Sequence, residues 1–270
     1  MKAFVICTTP RSGSYLLCDY LDNTGLVGKP AEYLTTQSIR YYMHEWGIES
    51  FSEYLDRFLE LASRGAPVSG LKLMANLWPG TARDIAETRR WGGLAPADAL
   101  ARLFPQARFI FLRRRNELQQ AISLFMAQNT GLWAIREPKD EQLAASLAPP
   151  SFSFRRIHDN LCMIRESNAA WKTFFRHTNI TPLSLHFEDF LADKETTLRD
   201  LLAFVGAEVP DDLAIRTTMK KQSSAISKQF LQKYRRRKPL RHPLLSARRR
   251  LRRIARRQKD LSDVFTAPPD

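Results

Sequence analysis

Arg11, Ser12, Gly13 and Ser14 stand together just after a short apolar run, Phe4-Val5-Ile6-Cys7, and a Thr8-Thr9-Pro10 step. A guanidinium offers a planar fork of donors that matches the oxygens of a phosphate or sulfate. Two hydroxyls add adjustable donors, and a glycine lets backbone approach a ligand closely. Tyr15 and then Leu16, Leu17, Tyr20 and Leu21 follow at helical spacing. The stretch therefore reads as strand, loop and helix, with the orphan N–H groups and positive dipole end of the helix aimed at the loop. The chemistry this predicts is anion binding. A plain capped turn accounts for Ser12, but not for Arg11, Gly13 and Ser14 beside it.

Charge gathers again after Arg108-Phe109-Ile110-Phe111-Leu112, where Arg113, Arg114 and Arg115 come in succession and Ser123 lies eight residues past Arg115. Glu32 is a lone carboxylate in the Gly/Pro-punctuated segment Gly28-Lys29-Pro30-Ala31-Glu32-Tyr33. A carboxylate beside an anion cradle can take a proton from a substrate hydroxyl; an exposed loop acid is the plain alternative. Lys72, inside the apolar run Val68–Met74, reads as a snorkelling or ion-paired strand lysine before it reads as a substrate contact. Among the histidines, His44 is the one to test as an alternative base. Trp133 could offer a stacking face to a sugar or to adenine.

The opening loop is not a nucleotide-triphosphatase P-loop. It lacks G-x-x-x-x-G-K-[ST], and no apolar strand ends in an aspartate that would hold magnesium. The strand in the expected place ends in three arginines, which repel Mg²⁺ and attract a second phosphate. The pattern suits an anionic nucleotide held without a metal.

These groups need a scaffold, and its elements are legible. Strands are expected over the opening apolar run, Val68–Met74, Arg108–Leu112 and Thr181–Phe187. Helices are expected after Ser14, over Ile39–Trp46, Ile48–Ala62, Asp98–Phe104 and Ile157–Phe175, from Asn116 through Phe125, and from Glu188 to Gly206. Residues 134–152 carry charges with Pro138, Pro149 and Pro150, and are expected as an exposed excursion. Strands alternating with helices predict an α/β fold with a central parallel sheet flanked by helices. In such sheets ligands sit at the carboxyl ends of the strands, which is where Arg11–Ser14 and Arg113–Arg115 fall.

With 270 residues the chain can bury a core as one α/β domain with an appended tail. The net charge of +14 is local: Lys228 to Lys259 holds 15 Lys and Arg and no acid, so the rest is near neutral. Leu244, Leu245, Leu251 and Ile254 among these arginines suggest a basic amphipathic helix. Cys7, Cys18 and Cys162 have neither metal-ligand nor C-x-x-C spacing, which points to a reducing compartment. No secretory h-region or membrane span is visible, so the expectation is a cytoplasmic protein.

Several segments, taken together, resemble sulfotransferases that use 3′-phosphoadenosine 5′-phosphosulfate (PAPS), and in particular the bacterial trehalose 2-sulfotransferase-like family. Thr9-Pro10-Arg11-Ser12-Gly13-Ser14 is similar to the 5′-phosphosulfate loop, and Arg115 through Ser123 to the 3′-phosphate motif. Gly28-Lys29-Pro30-Ala31-Glu32-Tyr33, Gly70-Leu71-Lys72-Leu73-Met74, Gln120-Ala121-Ile122-Ser123 and Lys221-Gln222-Ser223 resemble further family segments. The resemblance implies a P-loop-like three-layer fold over residues 1–235, with 236–270 as a basic extension. It implies PAPS as sulfuryl donor with no metal. Arg11, Ser12, Gly13, Ser14 and Tyr15 would meet the 5′-phosphosulfate, and Arg114 or Arg115 with Ser123 the 3′-phosphate. Lys221 and Gln222 would contribute to the nucleotide site, with Arg11 and Glu32 catalytic and Glu32 the general base.

The implied acceptor is a carbohydrate or glycolipid hydroxyl, its pocket drawn from segments near 33–60 and 130–155. The basic residues over 236–259 would suit an anionic membrane surface, placing the protein at the inner membrane face; the resemblance allows a homodimer, since family members often dimerise, and nucleic acid is not an expected partner. The rival function is a nucleic-acid- or membrane-surface-binding protein that acts through its tail and keeps only a vestigial nucleotide pocket.

Overall fold

Strand β1 (Lys2–Thr8) is the central element, and its run of apolar residues is buried on both sides. It pairs in parallel with β2 (Val68–Met74) on one edge and β3 (Arg108–Arg113) on the other; β4 (Leu183–His186) extends the sheet in the order β2-β1-β3-β4. Strand residues alternate in direction, so Phe4 and Ile6 face one side while Val5 and Cys7 face the other. The computed structural model describes residues 2–75, 78–219 and 226–237.

The helices are α1 (Ser14–Thr24), α2 (Thr36–Glu45), α3 (Phe51–Ser63), α4 (Trp78–Thr88), α5 (Pro96–Leu103), α6 (Glu117–Thr130), α7 (Pro138–Ser146), α8 (Phe154–His177), α9 (Phe187–Ala192) and α10 (Lys194–Val205). Phe4, Ile6, Ile110 and Leu112 pack against Leu17 and Leu21 of α1, Phe190 of α9 and Leu198 and Leu202 of α10. Val5, Cys7, Phe109 and Phe111 pack against Tyr54 and Phe58 of α3, Trp78 of α4, Leu100 of α5 and Trp171 and Phe174 of α8. Each such side chain contributes about 1.5–3 kcal/mol through burial. The expected three layers, helix, parallel sheet and helix, are present.

By contact the chain divides into two compact units, the first holding residues 2–115 and 167–217 and the second 116–166 with the described residues from 218 to 237. The first contains the sheet. The second has its own core, in which Ala121, Ile122 and Phe125 of α6 meet Ile157, Leu161 and Ile164 of α8, and Phe230 and Tyr234 from a helix over 226–237.

Several elements differ from the sequence reading. Helix α4 was not expected, because Pro79 and Gly80 obscure its start; proline is tolerated in a first turn, where its missing N–H has no intrahelical partner. The 134–152 segment is mostly exposed, yet it folds α7, whose first turn is held by Asp140 accepting from the Arg136 and Glu137 amides at 2.8 and 3.0 Å. The single helix expected from Glu188 to Gly206 is two, broken at Asp193, whose carboxylate caps α10 by accepting from Thr196 N at 3.1 Å. The expected basic helix over 244–257 lies outside the described residues.

Candidate active site

The loop between β1 and α1 is clamped from three directions. Trp171 Nε1 donates to the Thr8 carbonyl at 2.9 Å, Thr8 Oγ1 donates to the Leu112 carbonyl at 2.9 Å, and the Thr8 and Ser12 hydroxyls share a hydrogen bond at 2.6 Å. Thr8, Thr9 and Ser12 are fully buried as a result. Ser12 is therefore not the helix cap. The N-cap is Gly13, which has no side chain to satisfy the first-turn amides of α1.

The glycine also has a different purpose from the one its sequence suggests. Gly13 sits at φ +97°, and a Cβ there would stand 2.1 Å from the Phe187 ring. It is required by its backbone angle and by packing against α9. Arg11 adopts a left-handed conformation at φ 62°, a strain of about 1–3 kcal/mol for a non-glycine residue, held by the clamped loop around it.

The three successive arginines diverge. Arg113 shares the α8 face of β3 with Phe111, and its guanidinium lies 4.7 Å from that ring. Arg114 turns to the β1–α1 loop: Nη1 donates to the Arg11 carbonyl at 3.3 Å, and the guanidinium lies 5.1 Å from the Phe187 ring. Arg115 points to solvent and grips both carboxylate oxygens of Asp189. The nearest acid to Arg114 is Glu188, at 4.0 Å.

Arg11 and Arg114 form the electrostatic centre. Burial first, and then the positive charge of Arg114, push Arg11 below the ordinary arginine range, with Tyr15 opposing. Burial likewise lowers Arg114, against the pull of Glu188. Two half-buried guanidiniums that disfavour one another's charge, at an uncapped helix N-terminus, make a site that an anion relieves.

Glu32 is placed by pairing. Gly28 N donates to Val68 O and Lys72 N donates to Ala31 O, both at 2.8 Å, so residues 28–32 run alongside β2. A Cβ on Gly28 would meet Ser63 Cα at 2.5 Å, which explains the glycine. Glu32 then meets Lys72, Nζ to Oε1 at 2.9 Å, and the ammonium sits 3.5 Å from the centre of the Tyr15 ring. Lys72 is only 2% exposed, so it is an ion-paired strand lysine and does not snorkel. Burial alone would lower it, but Cys18, Glu32 and Tyr15 hold it above the ordinary lysine range. Next to Glu32, Tyr33, Tyr42, Trp46, Tyr54 and Phe58 stack in a ladder within the segment expected to supply the acceptor pocket.

The structure thus brings Arg11, Ser12, Gly13, Ser14, Tyr15, Glu32 and Arg114 to the carboxyl ends of β1, β2 and β3 or beside them. Ser123 lies in the second turn of α6, in the second unit. Lys221 and Gln222 lie outside the described residues. His44 projects from α2 with its side chain 89% exposed and pairs with Glu45, away from the buried groups of the loop. Trp133 is exposed. The sequence reading missed Phe187, Glu188 and Asp189, which sort the arginines; the available signal was an aromatic and two acids directly after a parallel strand.

A family model for Stf0 sulphotransferase matches residues 3–237. The chain belongs to the Stf0 sulphotransferase family. Among curated proteins it is similar to the trehalose 2-sulfotransferase of Mycolicibacterium smegmatis, 23% identical over 266 residues, covering 87% of this chain and 94% of that protein. It is also similar to the trehalose 2-sulfotransferase of Mycobacterium tuberculosis, 22% identical, covering 87% of this chain and 95% of that one. Among solved structures it is similar to a sulfotransferase from Alicyclobacillus acidocaldarius (TM-score 0.46, 16% identity, 90% of this chain and 96% of the other). A sulfotransferase domain from the curacin biosynthetic pathway gives a TM-score of 0.48 at 13% identity, over 84% and 82% of the two chains. Membership of the Stf0 family makes sulfuryl transfer the reaction to be explained by this site. No helix among the described residues is long and apolar enough to cross a membrane.

Proposed function

We propose that this Stf0 family member transfers the sulfuryl group of PAPS to a hydroxyl of a carbohydrate or glycolipid, with Glu32 as general base. The observation that carries the proposal is the Arg11–Arg114 pair at the uncapped start of α1, two half-buried cations lowered by burial. That donor set fits a phosphosulfate. Arg11, Ser12, Gly13, Ser14 and Tyr15 would hold the 5′ end of the donor. The 3′-phosphate falls to a strand-end arginine with Ser123, and Lys221 and Gln222 complete the nucleotide site by resemblance. Arg114 suits the strand-end role better than Arg115, because Asp189 already takes the Arg115 fork.

When bound, PAPS supplies an activated sulfuryl group whose leaving group is a phosphate. Charge that builds on that phosphate is met by Arg11 and by the first amides of α1, donors already fixed by the clamped loop. Glu32, with its side chain 21% exposed, can receive the proton of an acceptor hydroxyl as that oxygen forms its bond to sulfur. Cations and backbone amides suffice for the leaving charge, so the proposed reaction uses no metal. The trehalose named for the two mycobacterial relatives makes trehalose the first acceptor to assay.

The test is calorimetry with 3′-phosphoadenosine 5′-phosphate, alongside transfer from PAPS to trehalose and other sugars. Arg11→Ala should abolish nucleotide binding. Glu32→Gln should keep binding and lose transfer; full turnover by Glu32→Gln would remove it as the base.

A further inference from the structure

Lys72 has the most unusual placement in the first unit: an ammonium 2% exposed, on a strand buried along its whole length. A buried charge persists only where partners replace its lost water. Its partners come from two other elements. Glu32 arrives from the segment alongside β2 at 2.9 Å, and Tyr15 from the first turn of α1 lays its ring 3.5 Å away. The titratable groups facing the ammonium are Glu32 on that segment and Tyr15 and Cys18 on α1. Among the described residues the Glu32 carboxylate has no other ion-pair partner.

We infer that Lys72 is a positioning residue for the reaction: it fixes the Glu32 carboxylate through Oε1 and ties it through Tyr15 to the helix that opens the anion loop. The inference rests on the sulfuryl-transfer reading with Glu32 as base. Two consequences follow from the geometry. With Oε1 held on Nζ, the carboxylate keeps one orientation and presents its other oxygen to the acceptor. The lysine charge also cancels that of Glu32, so an anionic donor can settle at Arg11 and Arg114 without meeting an uncompensated carboxylate. Tyr15 links the two halves of the site, since it belongs to the same first turn as the amides that face the donor.

The experiment compares Lys72→Met and Lys72→Arg with wild type in kcat and KM for the acceptor and in calorimetry with 3′-phosphoadenosine 5′-phosphate. With the base no longer held in place, kcat should fall by about tenfold or more in Lys72→Met while KM for the acceptor changes little. Binding of the bisphosphate should weaken, and Lys72→Arg should restore kcat toward wild type. An unchanged kcat in folded Lys72→Met overturns the inference and assigns the lysine to stability alone. Should Lys72→Met not fold, the Lys72 side chain can be followed by ¹³C NMR in wild type and in Glu32→Gln without ligand. Removing the carboxylate should lower the midpoint at which Lys72 loses its proton, and an unchanged midpoint overturns the pairing. If wild type neither binds the bisphosphate nor transfers sulfuryl groups, the functional reading fails instead, while the NMR arm still decides the pairing.

Discussion

Arg114 and Arg115 are adjacent, identical in type and opposite in fate, so substituting each in turn gives a sharp test. In Arg114→Ala the anion site loses a half-buried guanidinium that reaches the Arg11 carbonyl; in Arg115→Ala only the exposed grip on Asp189 is lost. A hydrogen bond to a charged group contributes about 1.5–3 kcal/mol, and each 1.4 kcal/mol or so is tenfold in affinity. Calorimetry should therefore show the 3′-phosphoadenosine 5′-phosphate Kd rising about 10- to 150-fold in Arg114→Ala and staying nearly unchanged in Arg115→Ala.

Stability should move the other way. The ring contact with Phe187 is worth about 0.5–1 kcal/mol, and its loss is offset because Arg11 no longer faces a second cation. The melting temperature of ligand-free Arg114→Ala should thus match or exceed that of wild type, while the increment on adding nucleotide should shrink. A larger affinity loss in Arg115→Ala than in Arg114→Ala would refute the reasoning.

Gly13→Ala should lower the melting temperature sharply, since the backbone alone costs about 1–3 kcal/mol and the new methyl meets the Phe187 ring. Trp171→Phe removes the Nε1 donor to the Thr8 carbonyl, about 0.5–1.5 kcal/mol because that carbonyl still accepts from Ala75 N at 3.3 Å, and should weaken nucleotide binding by loosening the loop's seat. His44→Ala should leave turnover at the wild-type level, because that ring is exposed on α2; a large loss would reopen its candidacy as base. At alkaline pH, the urea midpoint should fall as pH rises past 10. Lys72, Tyr33 and Tyr54 are all raised in the folded chain, the tyrosines chiefly by burial, so the folded state keeps protons that the unfolded state releases.

Much of the scaffold was legible because it rests on local periodicity. The runs Phe4–Cys7 and Phe109–Leu112 are uninterrupted and apolar, as strands covered on both faces must be. Where a helix started on Pro79 and Gly80, or was split by its own capping Asp193, local pattern and structure parted. Site residues were legible as types, anion donors and one acid, but their partners were not.

The sequence by itself determined that Arg11–Ser14 sits between a strand and a helix, that arginines cluster at the end of a neighbouring strand, and that the triphosphatase Lys and Asp are missing. Those statements depend on order and spacing along the chain. Which of three arginines turns to the loop, why Gly13 is a glycine, and what holds Glu32 were decided by contacts between residues far apart in sequence. Gly13 waits on Phe187, Arg115 on Asp189, Glu32 on Lys72. Side-chain direction at a strand end is set by whichever neighbour takes up its charge or fills its space, and that neighbour exists only once the parallel sheet has brought the strand ends together.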